Sequence, residues 1–543
     1  MTGLADPAGA VGSAETLPGA LARVVDYVLR HGREHPERRA IVSAEGALSY
    51  AELAALVQRH ARALWAVGIR PGDRVALLST PRPEFVVSYL ATTMIGAIWL
   101  GLNPRYSARE LRYVLGDATP SLVLTTLAPP ERAPLDEAAA GLVERPIAEI
   151  GSSALLRAFD EAALGAAPDA DEIDRALGEI RVDTQEPALI VYTSGSTGAP
   201  KGALVRHSGL VRLGLVEGAA WQLTTPVVLC NLPINHIGCV GDLVGVPLVL
   251  GATLVLREAF DAAEVLRDVE EHRISALFQI PTQLQRICTH PDFETRDLTS
   301  LEVVGWGGSP LPRSALSAYR TKGVRLVSTY GLTEATSSVT YSDPDATDDD
   351  LLTTVGRPDP GMRVRLLGDD GAWITDGEGE VCVRNPTVMA GYLNRPEATA
   401  EAFTEDGWLR TGDVGYLRED GNLVLVGRTK DMYKSGGYNI YPREIEQVLE
   451  SHPDVQIAAV VARPDPDFHE VGVGYVQPAP GSTLTAEALR EWCRDRLANF
   501  KVPKDFVLVD ELPLLPVGKV DKTALRAAHH PTTDHAEQRR NHV

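Results

Sequence analysis

Cysteine is scarce in this sequence: five residues in 543, at Cys230, Cys239, Cys288, Cys382 and Cys493. Their number is odd and their spacing fits neither a zinc site nor a disulfide framework, so a reducing, cytoplasmic setting is expected. Basic charge is in deficit as well. Lys and Arg total 52 against 73 Asp and Glu, a net charge of -21, which disfavours non-specific adhesion to nucleic acid or anionic membrane. Any phosphate-bearing ligand must therefore be held by a local site. No basic residue precedes Arg23, unlike a secretory leader. Long apolar runs are missing too. The most apolar stretch, Val86 to Leu102, is interrupted by Ser88, Thr92, Thr93 and Gly96 and falls short of the ~20 residues that span a bilayer. It reads as a buried helix entering a core strand.

What is present is ample apolar content, 44%, and enough chain for roughly two to four domains or subdomains. Ser-x-x-Glu precedes an apolar periodic run twice, at Ser49 to Glu52 and Ser107 to Glu110, and predicts two capped helices. Short apolar runs such as 74–79 and 121–126 predict buried strands. Helix and strand alternate in this way to about residue 425, which predicts an α/β fold: a large N-terminal layered domain of several subdomains with mainly parallel sheets. Residues 128–185, rich in Ala, Asp, Glu and Pro, read as a peripheral, partly irregular connection, and the acidic run 343–350 as a solvated loop. After Gly427 a glycine-rich segment leads into helix, strand and helix patterns, a compact α+β unit. The expected domains are 1–429 and 430–543, with a disordered tail from about residue 529.

The most informative string is VYTSGSTGAPKGA, residues 191–203, an apolar strand running into a loop of Thr, Ser and Gly closed by a lysine. Glycines expose backbone N–H groups, the hydroxyls of Thr193, Ser194, Ser196 and Thr197 donate to phosphate oxygens, and Lys201 adds positive charge. Such a loop suits a polyphosphate. It is not the P-loop of kinases, because Pro200 precedes Lys201 and Gly202 follows it.

This segment resembles the signature of the adenylate-forming superfamily of acyl-CoA synthetases, adenylation domains and luciferases, and is closest to the acyl-CoA synthetases. Further strings similar to that family recur in its order, from LSYAEL (48–53) through GWGGSPLP (305–312), TYGLTEA (329–335), GWLRTGDVGYL (407–417) and GRTKDMYKSGGYNIYPREIE (427–446) to GKVDK (518–522). The resemblance implies an ATP-dependent acid–thiol ligase, a soluble enzyme that joins a carboxylic acid to AMP with release of pyrophosphate and then to coenzyme A, using Mg2+. It implies roles residue by residue. Thr193, Ser194, Gly195, Ser196, Thr197, Gly198 and Lys201 would hold phosphates, while Gly307, Gly308, Ser309, Tyr330 and Gly331 would line the adenine. Thr333 would touch the α-phosphate, Glu334 and Thr197 would meet magnesium, and Asp413 and Arg428 would bind ribose. Lys430 would be the hinge of a mobile C-terminal domain, Lys519 the lysine brought to the reacting carboxylate, and Lys434, Gly436 and Gly437 the wall of the thiol path. His236, Trp306 and Gly307 would shape the acid pocket.

Three departures stand out: Ser196 where threonine is common, Val517 before Gly518-Lys519, and the pair Tyr433 and Lys434, the latter reminiscent of luciferases. Small residues near His236 (Gly238, Gly241, Gly245) suggest room for a bulky acid. Alternatives are transfer to a carrier-protein phosphopantetheine, an enzyme of one half-reaction, and a non-catalytic nucleotide-binding regulator. The presence of Glu334 and Lys519 argues against the last. The identity of the acid and a homodimeric state are left open.

Overall fold

The computed structural model describes residues 19–143, 145–166, 170–193, 199–479, 481–514 and 520–528. The chain divides into two compact units. The first comprises residues 1–259, 332–337 and 384–401, and the second 260–331, 338–383 and 402–543.

In the first unit a six-stranded sheet runs in the order Ala148–Glu149, Leu122–Thr125, Arg74–Leu78, Ile98–Leu102, Pro187–Thr193, Lys201–Arg206. All neighbours are parallel except the last pair. Four more strands follow one another as Val227–Cys230, Thr253–Leu256, Arg39–Ser43 and Gly46–Ser49. Both predicted capping boxes are present. Ser49 accepts from the Glu52 N–H ahead of helix Tyr50–Ala66, and Ser107 from the Glu110 N–H ahead of helix Ala108–Ala118, with each glutamate bonding back. The apolar stretch near residue 90 is helix Pro83–Met94 followed by strand Ile98–Leu102, as its pattern predicts, and no described helix is long and apolar enough to cross a membrane.

One reading is sharpened and one corrected. The partly irregular connection 128–185 carries helices Pro129–Ala139, Ser153–Gly165 and Ala170–Glu179. The acidic run is not all loop: Thr347 caps helix Asp348–Thr353, whose first turn carries Asp348, Asp349 and Asp350. Acidic side chains there oppose the positive end of the helix dipole, so the charge cluster is a helix start.

The second unit holds the parallel strands Ala276–Phe278, Val303–Gly307 and Arg325–Leu332. It also contains a five-stranded sheet ordered Trp373–Ile374, Arg363–Leu367, Gly379–Arg384, Leu409–Leu417, Leu423–Arg428. Its C-terminal part is α+β, as the pattern predicts. Strands Tyr438–Ile440, Tyr433–Ser435, His469–Pro478 and Val455–Asp465 pair in that order, and Asp505–Leu508 adds to His469–Pro478. Helices Pro442–Glu450 and Ala486–Arg494 cover it, burying Ile445, Leu449, Leu489 and Cys493 in one cluster. The tail beyond residue 528 lies outside the described residues.

Gly305 illustrates how tightly the parallel strands pack. A Cβ there would lie 2.2 Å from the Phe278 ring, so Gly305→Ala should lower stability by about 1–3 kcal/mol. An unchanged urea midpoint would show that the ring has room to move.

Candidate functional site

The residues singled out in the sequence fall into two groups, one on each unit. In the first unit, Thr193 at the end of strand Pro187–Thr193 pairs with Lys201 at the start of the antiparallel return strand. Ser194, Gly195, Ser196, Thr197 and Gly198 between them lie outside the described residues. Glu334, in the short turn Thr333–Ala335, accepts through Oε1 from the Thr193 hydroxyl at 3.3 Å and the Tyr392 hydroxyl at 2.7 Å. Thr333 beside it is buried. Burial and the Glu334 charge push the Tyr392 phenol up, which keeps it a donor.

Tyr392 is placed by a strap, residues 389–393, laid against the strand Lys201–Arg206. Ala390 N–H donates to Leu204 O, Leu204 N–H to Gly391 O, and Leu393 N–H to Gly202 O. Met389 N–H donates to Glu334 O at 2.8 Å. The Lys201 ammonium stands 5.1 Å from the Tyr392 ring centroid, within cation–π range. Lys201 and Glu334 thus meet on one tyrosine, and Glu334 also holds the strand end at Thr193.

His236 accepts the Gly238 N–H on Nδ1 at 3.1 Å, which puts the ring proton on Nε2 in neutral imidazole. A π-helical turn, Gly238–Gly245, follows; such turns recur at functional sites. Its glycines do not mark open space. An added Cβ would meet His236 Nδ1 at 3.2 Å from Gly238, Leu213 at 3.0 Å from Gly241 and the Val240 carbonyl at 3.2 Å from Gly245. The turn also carries Asp242, whose carboxylate accepts from the Ser337 hydroxyl at 2.5 Å, three residues beyond Glu334. Burial pushes the Asp242 carboxyl up to about 6, against hydrogen bonds to Ser337 and Glu217 that pull it down.

In the second unit, Asp413 is the centre. Tyr330 donates to its Oδ2 at 2.7 Å and Arg428 Nε to its Oδ1 at 2.7 Å. Asp413 and Tyr330 are buried, and burial with the Asp413 charge holds the Tyr330 phenol well above its ordinary range. A carboxylate offers about four lone-pair directions, and among the described residues two of those of Asp413 have donors. Gly307 ends strand Val303–Gly307 with Trp306 buried behind it, Gly308 has φ +82°, and Ser309 is exposed. Gly331 follows Tyr330 within the same strand.

Further along the second unit, Lys430 lies exposed in a turn. Lys434 is exposed on a hairpin whose two-residue turn is Gly436 and Gly437, with φ +57° and +89°. Both glycines are therefore demanded by the hairpin turn itself. Beside it lies a feature that no motif announced. Tyr438 and Phe500, 56% and 40% exposed, stack with centroids 4.2 Å apart and planes at 16°. Phe468 is exposed nearby, 3.3 Å from a Cβ built on Gly436, with the Lys504 ammonium 4.7 Å from its ring centroid. Lys519 lies outside the described residues.

A profile of the AMP-binding enzyme family matches residues 28–393, and one of the AMP-binding enzyme C-terminal domain matches 444–519. The chain belongs to the AMP-binding enzyme family. It is an adenylate-forming ligase of the AMP-forming, acid–thiol class, built from a large N-terminal and a small C-terminal domain. Feruloyl-CoA synthase of an Amycolatopsis species is 36% identical over 511 residues, covering 92% of this chain and 98% of its own. Indoleacetate–CoA ligase of Aromatoleum aromaticum is 36% identical over 503 residues, covering 92% and 97%. Among solved structures, ATP-bound MatB of Rhodopseudomonas palustris superposes with TM-score 0.83 at 31% identity, covering 94% and 99%.

Within this ligase the sequence pointed to Thr193, Lys201 and Glu334 on one unit and to Tyr330, Asp413 and Arg428 on the other, and the fold brings each trio together. It missed Tyr392, whose strap reads only MAGYL, and the aromatic pair Tyr438 and Phe500, which lie 62 positions apart. Neither has a local spacing to read.

Asp242 supplies a pH test. Its folded value lies above the ordinary 3.8, so folding binds extra proton between about pH 4 and 6 and stability contributed by this group falls as pH rises through that window. Asp242→Asn should remove the fall and stabilise the ligase above pH 6 by up to about 3 kcal/mol. Parallel urea midpoints for variant and parent from pH 4 to 8 would refute it.

Proposed function

We propose that this ligase activates a carboxylic acid carrying an aryl or comparably bulky group and delivers it to the thiol of coenzyme A. The observation that carries the reading is the pair of trios just described, one suited to phosphates and a cation, the other to a nucleoside. The two relatives at 36% identity are named for feruloyl and indoleacetyl chemistry, which supports an aryl acid.

In the first step a carboxylate oxygen attacks the α-phosphorus, the bond to the β-phosphate breaks, and pyrophosphate leaves. Two anions must approach, so cationic groups and oriented donors at the phosphates do most of the work. Lys201 and the Thr193 hydroxyl are assigned to the phosphates, together with Ser194, Gly195, Ser196, Thr197 and Gly198, and Thr333 to the α-phosphate. Asp413 would accept the ribose hydroxyls through its remaining lone pairs while Arg428 holds its other oxygen in place, and Tyr330 would flank the adenine with Gly307, Gly308, Ser309 and Gly331. His236 and Trp306 are assigned to the acid pocket.

The chemistry of Glu334 fits Mg2+: a hard carboxylate whose Oε1 is fixed by Thr193 and Tyr392 and whose Oε2 receives no hydrogen bond from the described residues. Magnesium usually reaches a protein through one or two carboxylates plus substrate phosphates, and Thr197 is assigned as its second protein ligand. When bound it supplies charge neutralisation at the phosphates.

In the second step the thiol sulfur attacks the acyl carbonyl, AMP leaves and the thiol proton passes to solvent. Lys519 serves only the first step, and rotation about Lys430, between domains 1–429 and 430–543, withdraws it and presents Lys434, Gly436 and Gly437 to the thiol arm. Coenzyme A rather than a carrier arm is supported by Tyr438, Phe468 and Phe500, since only coenzyme A brings a base to stack, and Lys504 beside them suits its phosphates. Free thiols at all five cysteines support a reducing, cytoplasmic compartment.

Pyrophosphate release across aryl, fatty, steroid-like and terpenoid acids, with and without coenzyme A, tests the whole reading; no ATP-dependent turnover on any acid overturns it. Lys519→Ala should abolish acyl-AMP formation yet still convert supplied acyl-AMP to thioester, and Lys430→Pro should do the reverse. Equal loss of both half-reactions in either variant would reject its role.

Tyr438→Ala and Phe500→Ala should each raise KM for coenzyme A roughly tenfold or more, the scale of one lost base stack, with acyl-AMP formation intact. Pantetheine, which lacks the base, should be used equally by parent and variants; an equal penalty on pantetheine would remove the platform.

A further inference from the structure

Helix Ala108–Ala118 carries an acid where helix electrostatics disfavour it. Asp117 is its penultimate residue, beside the negative end of the helix dipole, a placement that costs about 0.3–1 kcal/mol unless something offsets it. Its side chain is only 7% exposed, so water does not offset it. What does is a set of donors drawn from two distant parts of the first unit. The Tyr192 hydroxyl donates to Asp117 Oδ2 at 2.8 Å, and Arg395 Nη2 pairs with Oδ1 at 2.7 Å. Asn394 Nδ2 donates to the Asp117 carbonyl at 2.9 Å.

One helical turn earlier, Tyr113 faces the same way and completes the arrangement. Its hydroxyl donates to the Pro200 carbonyl at 2.8 Å and accepts from Arg395 Nη2 at 3.5 Å. Tyr192 immediately precedes Thr193, and Pro200 immediately precedes Lys201. The helix therefore grips the chain on both sides of the phosphate-side segment. Arg395 and Asn394 extend the strap that carries Tyr392, whose hydroxyl holds Glu334. A small cavity of about 250 Å³, lined by Tyr113, Pro200, Lys201, Arg395 and Glu397 among others, opens beside these contacts. Burial and the Asp117 charge push the Tyr192 phenol up, so it remains a donor to the carboxylate.

We infer that Asp117 is a positioning residue for the adenylation half-reaction, holding the strand end that leads to Thr193 and the strap that carries Tyr392 in one register. It touches no reacting atom. It fixes the separation between the group assigned to the phosphates and the carboxylate assigned to the metal, and errors of about 1 Å in such a separation cost a hundredfold in rate. The inference rests on the assignment of the segment 193–201 to the triphosphate.

The experiment separates the two half-reactions of the full-length enzyme. Asp117→Asn keeps size and an acceptor for Tyr192 but removes the charge that Arg395 meets, so it spares the fold better than alanine. It should lower kcat/KM for MgATP in acid-dependent pyrophosphate exchange by about a hundredfold, while supplied acyl-AMP and coenzyme A yield thioester at the parental rate. Tyr192→Phe and Arg395→Gln should each give part of that loss and add nothing in the Asp117→Asn background, the mark of one network. Equal slowing of both half-reactions, an unchanged MgATP dependence, or fully additive losses would overturn it. Lys201→Ala is the reference: if it leaves MgATP kinetics intact, the phosphate assignment falls and this inference with it. If Lys201→Ala impairs them and Asp117→Asn does not, the inference alone falls.

Discussion

The Glu334 carboxylate is the constraint on which the first unit's site depends. One of its oxygens receives hydroxyls from Thr193 and Tyr392, residues 141 positions before and 58 positions after it. Its own carbonyl receives the Met389 N–H. A carboxylate bonded in this way is held in one direction by its donors. A fixed direction is what cation chemistry at a phosphate needs.

A chain with a net charge of -21 that must gather a triphosphate and a carboxylate has to concentrate its few cations. At the two sites it does so by giving the arginines partners. Arg428 lies against Asp413 and Arg395 against Asp117, so each cation is held in place by an acid. Lys201 lies instead over the Tyr392 ring. An aromatic face steadies an ammonium without cancelling its charge.

Local signals in the sequence were read correctly where physics is local. Ser49 and Ser107 with their glutamates announced two helix starts because a capping box spans only three residues. Strand and helix periods likewise placed Pro83–Met94 and the C-terminal α+β unit. Readings failed where a residue's reason lay in the third dimension. Gly238, Gly241 and Gly245 looked like space, yet Leu213, from a different helix, fills the position against Gly241. One failure was local: Thr347 and Asp350 form a capping box like the other two, but the acidic run after Thr347 lacks the apolar periodicity that marked them. Gly436 and Gly437 have a backbone reason in the sign of φ, whatever ligand they also admit.

By itself the sequence determined the kind of chemistry: a strand running into hydroxyls, glycines and Lys201, with Glu334, Asp413 and Arg428 in the order of one family. These are identities and short spacings, and identity is what sequence carries. Only the tertiary structure decided which side chains restrain them. Tyr392 reaches Glu334, Asp117 joins Tyr192 to Arg395, and Phe500 finds Tyr438 because the fold packs segments far apart in the chain side by side, and such packing leaves no mark at any fixed spacing.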